Sequence, residues 1–144
     1  MSGDGPRRFE PPVTEVTEQF WESTRRQVLL VQWCGDCDKP VFYPREVCPR
    51  CLGTRLEWRE ASGEGEVHAV SVQHLPSMPL PAYCEGPYTV ALVELAEGVR
   101  VMSNVVGCPP EEVTVGMPVR VTWEELTDGR HLPLFTPRTN ISPR

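Results

Sequence analysis

Four cysteines constrain this chain more than anything else in it. Cys34-Gly35-Asp36-Cys37 and Cys48-Pro49-Arg50-Cys51 place two C-x2-C pairs ten residues apart. Two residues between cysteines let a tight turn aim both sulfurs at one ion, and two such turns supply four thiolates about 2.3 Å from a tetrahedral metal. Zinc is the expected ion, and iron in the same geometry is its competitor. Four unrelated buried thiols would not repeat this spacing, and a thioredoxin-like redox role would need a surrounding βαβ pattern that the sequence lacks. Four thiolates close the coordination shell to water and substrate. The expected ion is therefore structural, one per chain, and adds folding free energy on the order of 10 kcal/mol.

What surrounds the cysteines reads as mainly β. The 144 residues are 40% hydrophobic and 24% charged, enough for one domain with a core of its own, or one domain with a small appendage. Sixteen prolines and eleven glycines, scattered along the chain, interrupt long helices and favour short strands. Residues 1–13 are expected to be a disordered or linker arm. A helix follows, with Thr14 or Thr17 as N-cap and Val16, Phe20, Trp21, Thr24 and Val28 on one apolar stripe. Near Gln27 the period turns strand-like, and Leu29 to Trp33 runs into Cys34. Leu56 to Trp58 is a short return strand, and Ser62-Gly63-Glu64-Gly65 marks a boundary near residue 62. Residues 14–62 then form an N-terminal helix plus metal module, 63–138 a small barrel, and 139–144 a tail. Barrel strands are expected at Glu66 to His74, Tyr88 to Leu95, Arg100 to Val106 and Val119 to Trp123. Tyr88 to Leu95, apolar on both faces, is expected at the centre of the sheet, and His131 to Pro137 on an edge, because Pro133 lacks a donor.

The sequence also removes functions. Its longest aliphatic run, Val28 to Val31, is far short of the roughly 20 residues that span a bilayer. No apolar stretch follows the early arginines as a secretory signal would require, so a cytoplasmic, membrane-free protein is expected. Glycine-rich phosphate loops and the G-x-S-x-G and H-E-x-x-H motifs are missing. His68 and His74 stand about 20 Å apart on a regular strand, too far to share a metal, and His131 has no ligand-type neighbour. A Schiff-base mechanism would need Lys39, the one lysine, whose pKa the adjacent thiolate cluster would raise. Cys84 and Cys108 read as ordinary thiols, and a free-standing enzyme would have to draw on Tyr83, Tyr88 or a barrel carboxylate.

The helix with Phe20-Trp21, the strand LLVQWC, the four-cysteine ribbon with Phe42-Tyr43-Pro44-Arg45 before CPRC, and the Leu56-Glu57-Trp58 strand together resemble a known layout. It is that of the zinc-ribbon and OB-fold acyl-CoA-associated family. The resemblance implies a rubredoxin-like zinc ribbon followed by a small OB-fold barrel, with Cys34, Cys37, Cys48 and Cys51 as zinc ligands. It also implies an accessory, non-catalytic subunit of a thiolase-like or lipid-transfer-type aldolase, which cleaves a carbon–carbon bond in a steroid side-chain acyl-CoA. Members of that family usually carry glycine where this chain has Asp38 and Leu52. Leucine adopts the left-handed conformation reluctantly, so the second turn is expected to shift its bend to Gly53.

For an acyl-CoA ligand the candidate phosphate contacts are Lys39, Arg45, Arg50, Arg55 and Arg59, which also read as solvated charge balanced by Asp36, Asp38, Glu46, Glu57 and Glu60. Candidate partner contacts are Phe20, Trp21, Trp33, Tyr43 and Trp58, which read equally as core. The alternative function is a nucleic-acid-binding zinc-ribbon/OB protein. A net charge of −6 argues against it, because phosphate backbones demand a positive footprint.

Overall fold

The first element owes its length to a stop signal that contains no glycine. In the computed structural model, which describes residues 5–76 and 78–138, helix α1 spans only Glu18–Thr24. Gln27 turns left-handed at φ 58°, its N–H donates to the Thr24 carbonyl at 2.9 Å, and the Val28 N–H donates to the Ser23 carbonyl at 3.1 Å. Those two bonds form a Schellman cap, which satisfies the last helical carbonyls. Val28 therefore lies outside the helix instead of extending its stripe. Phe20, Trp21, Ser23 and Thr24 are the buried face.

Three short strands follow, β1 (Leu30–Cys34), β2 (Lys39–Val41) and β3 (Leu56–Glu60), in the order β2-β1-β3. β2 was not legible as a strand, since Lys39-Pro40-Val41 carries no periodicity and pairs only because the cysteine turn folds it back onto β1. A second, five-stranded antiparallel sheet begins at Glu64, three residues after Ala61. It contains β4 (Glu64–Gln73), β5 (Tyr88–Leu95), β6 (Arg100–Ser103), β7 (Pro118–Glu125) and β8 (His131–Pro137), ordered β6-β5-β4-β7-β8. A four-residue helix, α2 (Pro81–Cys84), precedes β5. The sheet curls until the chain beyond β6 meets β8 through a parallel bridge between Val105 and Phe135, the half-closed barrel of an OB-fold. The central strand is β4 and not β5, which lies second from the edge between β6 and β4, and β8 sits at the edge as expected.

One bulge corrects the reading of the histidines. Val67 pairs with Val93 and Ala69 with Leu92, so His68 is an extra residue and the faces invert across it. The inversion lets Val67 and Val70, at an odd spacing, both pack into the core. His68 and His74 therefore do not share the face that a regular strand would give them, and His74 falls beyond the end of β4.

The barrel interior, with Val67, Val93, Leu95, Val119 and Phe135 at its centre, continues into Phe20, Trp21, Leu29 and Val31 as one cluster. The ribbon's private core is only Cys34, Val41 and Cys48. The arm over residues 5–13 has no regular structure, yet it is not loose. Arg8 is 7% exposed and donates to Glu124 and Asn104, Glu10 accepts from Thr127, and the Pro11 carbonyl accepts from Arg130. A buried cation cannot stay unpaired, so these contacts pin the arm across the barrel. The expected tail 139–144 and residues 1–4 lie outside the described residues.

Candidate metal centre

β1 delivers Cys34 as its last residue, where it pairs with Lys39 on one side and Leu56 on the other. The chain then closes a turn in which the Asp38 N–H donates to the Cys34 carbonyl at 2.8 Å and the Gly35 N–H donates to the Arg55 carbonyl at 2.8 Å. The second turn repeats the pattern: Leu52 N–H to Cys48 carbonyl at 2.7 Å, Cys48 N–H to Gly53 carbonyl at 2.9 Å. Asp38 and Leu52 both stand at positive φ, 56° and 62°. The bend thus stays at Leu52 and does not move to Gly53. Leu52 tolerates it because its side chain, 72% exposed, meets solvent while its N–H is fixed by Cys48. Gly53 serves a different purpose: a Cβ there would come within 2.9 Å of Asp36 Oδ2 and 3.3 Å of Cys51 Sγ.

The four sulfurs all lie within 4.8 Å of one another. A tetrahedron with metal–sulfur bonds of about 2.3 Å has edges of about 3.8 Å, and Cys34 Sγ–Cys51 Sγ and Cys37 Sγ–Cys48 Sγ measure 3.7 and 3.9 Å. Disulfides, at about 2.05 Å, are a different geometry altogether. Backbone N–H groups of Cys37, Arg50 and Gly53 point at Cys34, Cys48 and Cys51 Sγ, each at 3.4 Å, and favour the thiolate form. The Cys51 N–H, with help from Arg50 N–H and the neighbouring thiols Cys34 and Cys51, overcomes burial and draws the Cys48 thiol down to about 6. At Cys51 the Gly53 N–H pulls down, but the Cys37 thiol, burial, and the Cys34 and Cys48 thiols outweigh it and hold the thiol up at about 12. Thiols packed this closely cannot all ionise without a cation among them, which is the charge a zinc ion supplies when bound.

Around this centre the predicted cations separate. Arg55 pairs with Asp36, Arg59 pairs with Glu57 and lies over the Trp33 ring at 4.6 Å, and Arg50 donates to the Pro40 carbonyl at 3.0 Å. Lys39 and Arg45 are exposed and have no ion-pair partner among the described residues. The aromatic candidates separate too. Phe20 and Trp21 are buried, Trp33 and Trp58 are half-buried, and Tyr43 is half exposed. Phe20 meets Trp21 edge-on at 5.0 Å and Phe42 at 5.9 Å, and Phe42 packs on Tyr43 at 4.5 Å, so one row of rings ties the helix to the ribbon. Of the remaining thiols, Cys108 is pushed up by burial, Glu112 and Glu111, which disfavours a nucleophilic thiolate there.

Beside the ribbon opens a cavity of about 580 Å³, bounded by the arm, α1, the Phe42-Tyr43-Pro44 segment, the approach to α2 and strands β5, β6 and β8. Sequence reading missed it, because its walls come from parts of the chain far apart in number.

Residues 21–57 match the family model "ChsH2, rubredoxin-like zinc ribbon domain", and residues 58–124 match "ChsH2, C-terminal OB-fold domain". A DUF35 domain-containing scaffold protein of Methanocaldococcus jannaschii is 35% identical over 114 residues, 78% of this chain and 79% of the relative. The chain belongs to the ChsH2 zinc-ribbon and OB-fold family. Its four cysteines accordingly form the site of one zinc ion. A solved chain described as Ltp2-ChsH2(DUF35) aldolase superposes with a TM-score of 0.78 at 35% identity, covering 89% of this chain and 98% of that one. A probable enoyl-CoA hydratase alpha subunit of Thermomonospora curvata is 38% identical over 147 residues, 90% of this chain. The ChsH2-family chain spans about half of that relative's length, 45%. Among the described residues no helix is long and apolar enough to cross a membrane.

Proposed function

We propose that this chain is the non-catalytic accessory subunit of a thiolase-like or lipid-transfer-type acyl-CoA enzyme working in the cytoplasm. The enzyme it serves is a retro-aldolase that cleaves a carbon–carbon bond in a steroid side-chain acyl-CoA. The observation that carries this reading is the match over 98% of a chain solved as part of an Ltp2-ChsH2(DUF35) aldolase. A relative from Mycobacterium tuberculosis, 30% identical over 125 residues and 37% covered, is named a 3-oxo-4,17-pregnadiene-20-carboxyl-CoA hydratase alpha subunit, which supports a steroid acyl-CoA as substrate. The closed four-sulfur shell fits a bracing role, since it leaves the ion no position for a reacting group. In this reading the partner provides the acid and base of the retro-aldol step, and this chain provides a rigid docking surface.

Of the five candidate aromatics, Tyr43, Trp33 and Trp58 have exposed area to offer a partner, while Phe20 and Trp21 support them from the core. Lys39, Arg45 and Arg50, which have no carboxylate partner among the described residues, are the strongest of the five cations for CoA phosphates. Co-expression with a thiolase-like aldolase partner tests the reading. The partner alone should be insoluble or inactive towards a steroid side-chain acyl-CoA, the pair should release the cleaved product, and Cys48→Ser should abolish the complex. Turnover by the isolated chain would overturn the assignment. Salt-sensitive binding of single-stranded oligonucleotides would favour the nucleic-acid alternative instead.

A further inference from the structure

The 580 Å³ cavity lies in the range of small-molecule sites, about 300–1,000 Å³. Its chemistry is unlike the rest of the molecule. The chain is 24% charged, yet among the described residues none that lines the cavity carries a charge. On the arm side the neighbouring cations are already paired, Arg7 with Glu85 and Arg8 with Glu124, and Arg45, next to Pro44, is exposed and not among the lining residues. An ionic occupant would find no counter-charge there and would lose its hydration. Four of the exposed large apolar side chains, Phe9, Tyr43, Met78 and Met102, gather on this one feature. Such a concentration of exposed apolar surface marks a binding site.

The walls are also rigid. Seven aromatic rings and four prolines line the cavity, against two flexible methionines. All three tyrosines of the chain are among them, with Tyr83 and Tyr88 meeting edge to face at 5.3 Å. Tyr43 Oη accepts the Met102 N–H and Tyr83 Oη accepts the Phe9 N–H, both at 3.3 Å, and neither hydroxyl donates its own hydrogen to a described residue. Two O–H donors therefore stand at a mostly apolar cleft whose other polar side chains include Thr17, Ser103 and Asn104, each bonded within the chain. Such donors fix orientation by bonding a carbonyl or hydroxyl of the occupant.

We propose that this cleft binds one uncharged, multi-ring apolar molecule bearing a carbonyl or hydroxyl group, held between ring faces and oriented by Tyr43 and Tyr83. The choice of a steroid-like occupant rests on the steroid reading above, and Tyr43 is shared with the partner surface proposed there, but the readout, binding by the isolated chain, is separate. Rigid fused-ring occupants are favoured over flexible alkyl chains because their broad faces make many van der Waals contacts with the aromatic walls and no rotatable bonds have to be frozen.

Equilibrium dialysis of the zinc-loaded chain against progesterone, a neutral tetracyclic ketone, tests the site, with hexadecanol as the flexible neutral control. Saturable binding of one progesterone per chain, at least tenfold tighter than hexadecanol, is expected. Met102→Trp, which places a large ring in the cleft from an exposed edge position, should weaken binding at least tenfold. Met102→Leu should stay within twofold of the unaltered chain. Both variants should keep their zinc and their thermal midpoint, so that a folding defect is told apart from a filled cleft. No saturable binding, equal affinity for hexadecanol, or undiminished binding by Met102→Trp would overturn the proposal. Restored activity of a partner enzyme is a separate readout, so failure of the one reading is distinguishable from failure of the other.

Discussion

The ribbon and the barrel reach rigidity by opposite means. In the barrel, alternating side chains of five strands converge on Phe135, Val93 and Val119, none of them measurably exposed, and the loss of any one ring or branched chain is felt throughout. In the ribbon the private core is two cysteines and a valine, so order rests on sulfur geometry, two left-handed turns and the N–H groups aimed at the sulfurs. An apolar core holds by accumulated area; the metal module holds by one multivalent bond. The difference teaches where each half should be fragile.

The largest effect should come from the ion. Chelation, or Cys48→Ser, removes stabilisation on the order of 10 kcal/mol from the ribbon. Hydrogen exchange should then show Lys39–Val41 and residues 48–53 unprotected, with β5 and β7 still protected; equal loss in both sheets would break the contrast. Phe135→Ala, which empties the barrel centre, should cost about 3–5 kcal/mol in denaturant unfolding while bound zinc stays stoichiometric. Gly65→Ala sharpens the barrel side further. A Cβ there would strike the Glu94 carbonyl of β5, and a loss of about 1–3 kcal/mol is expected from the same measurement.

The fourth effect concerns pH. Burial pushes the Asp128 carboxyl up, but the Arg130 N–H and guanidinium, with Arg25 farther away, outweigh it and hold the carboxyl below its usual range. A lowered folded value means the contribution is complete above the unfolded carboxylate range and is lost as pH falls through the folded value. Asp128 is half exposed, so Asp128→Asn should cost only about 1 kcal/mol at neutral pH and should remove that acid dependence from thermal melts. The smallest expected change is a gain. Leu52→Gly relieves a left-handed leucine and should raise ribbon stability by about 0.5 kcal/mol, net of the glycine's greater freedom when unfolded. It is read as slower zinc release to a chelator; faster release would show that the leucine is not strained.

Zinc ligation, β5, β7 and the edge position of β8 could be read directly from residue order, because each depends on spacing within a few neighbours. Val28 was misplaced since a Schellman stop at Gln27 lacks the usual glycine, and β2 was missed since its pairing partner, not its composition, makes it a strand. His68 escaped the strand's alternation through a bulge that only the register with β5 shows.

The amino-acid order by itself determined the metal site, since a C-x2-C turn carries its geometry within four residues and needs only a second copy to complete the tetrahedron. Tertiary structure alone decided that the arm is pinned through Arg8, that Arg55 and Arg59 are ion-paired while Lys39, Arg45 and Arg50 have no carboxylate partner among the described residues, and that arm, helix, ribbon and barrel line a cleft with no charged side chain among those residues. Those features depend on contacts between residues more than a hundred positions apart, as the 116 between Arg8 and Glu124. Such meetings are set by how the whole sheet curls, and no local pattern encodes them.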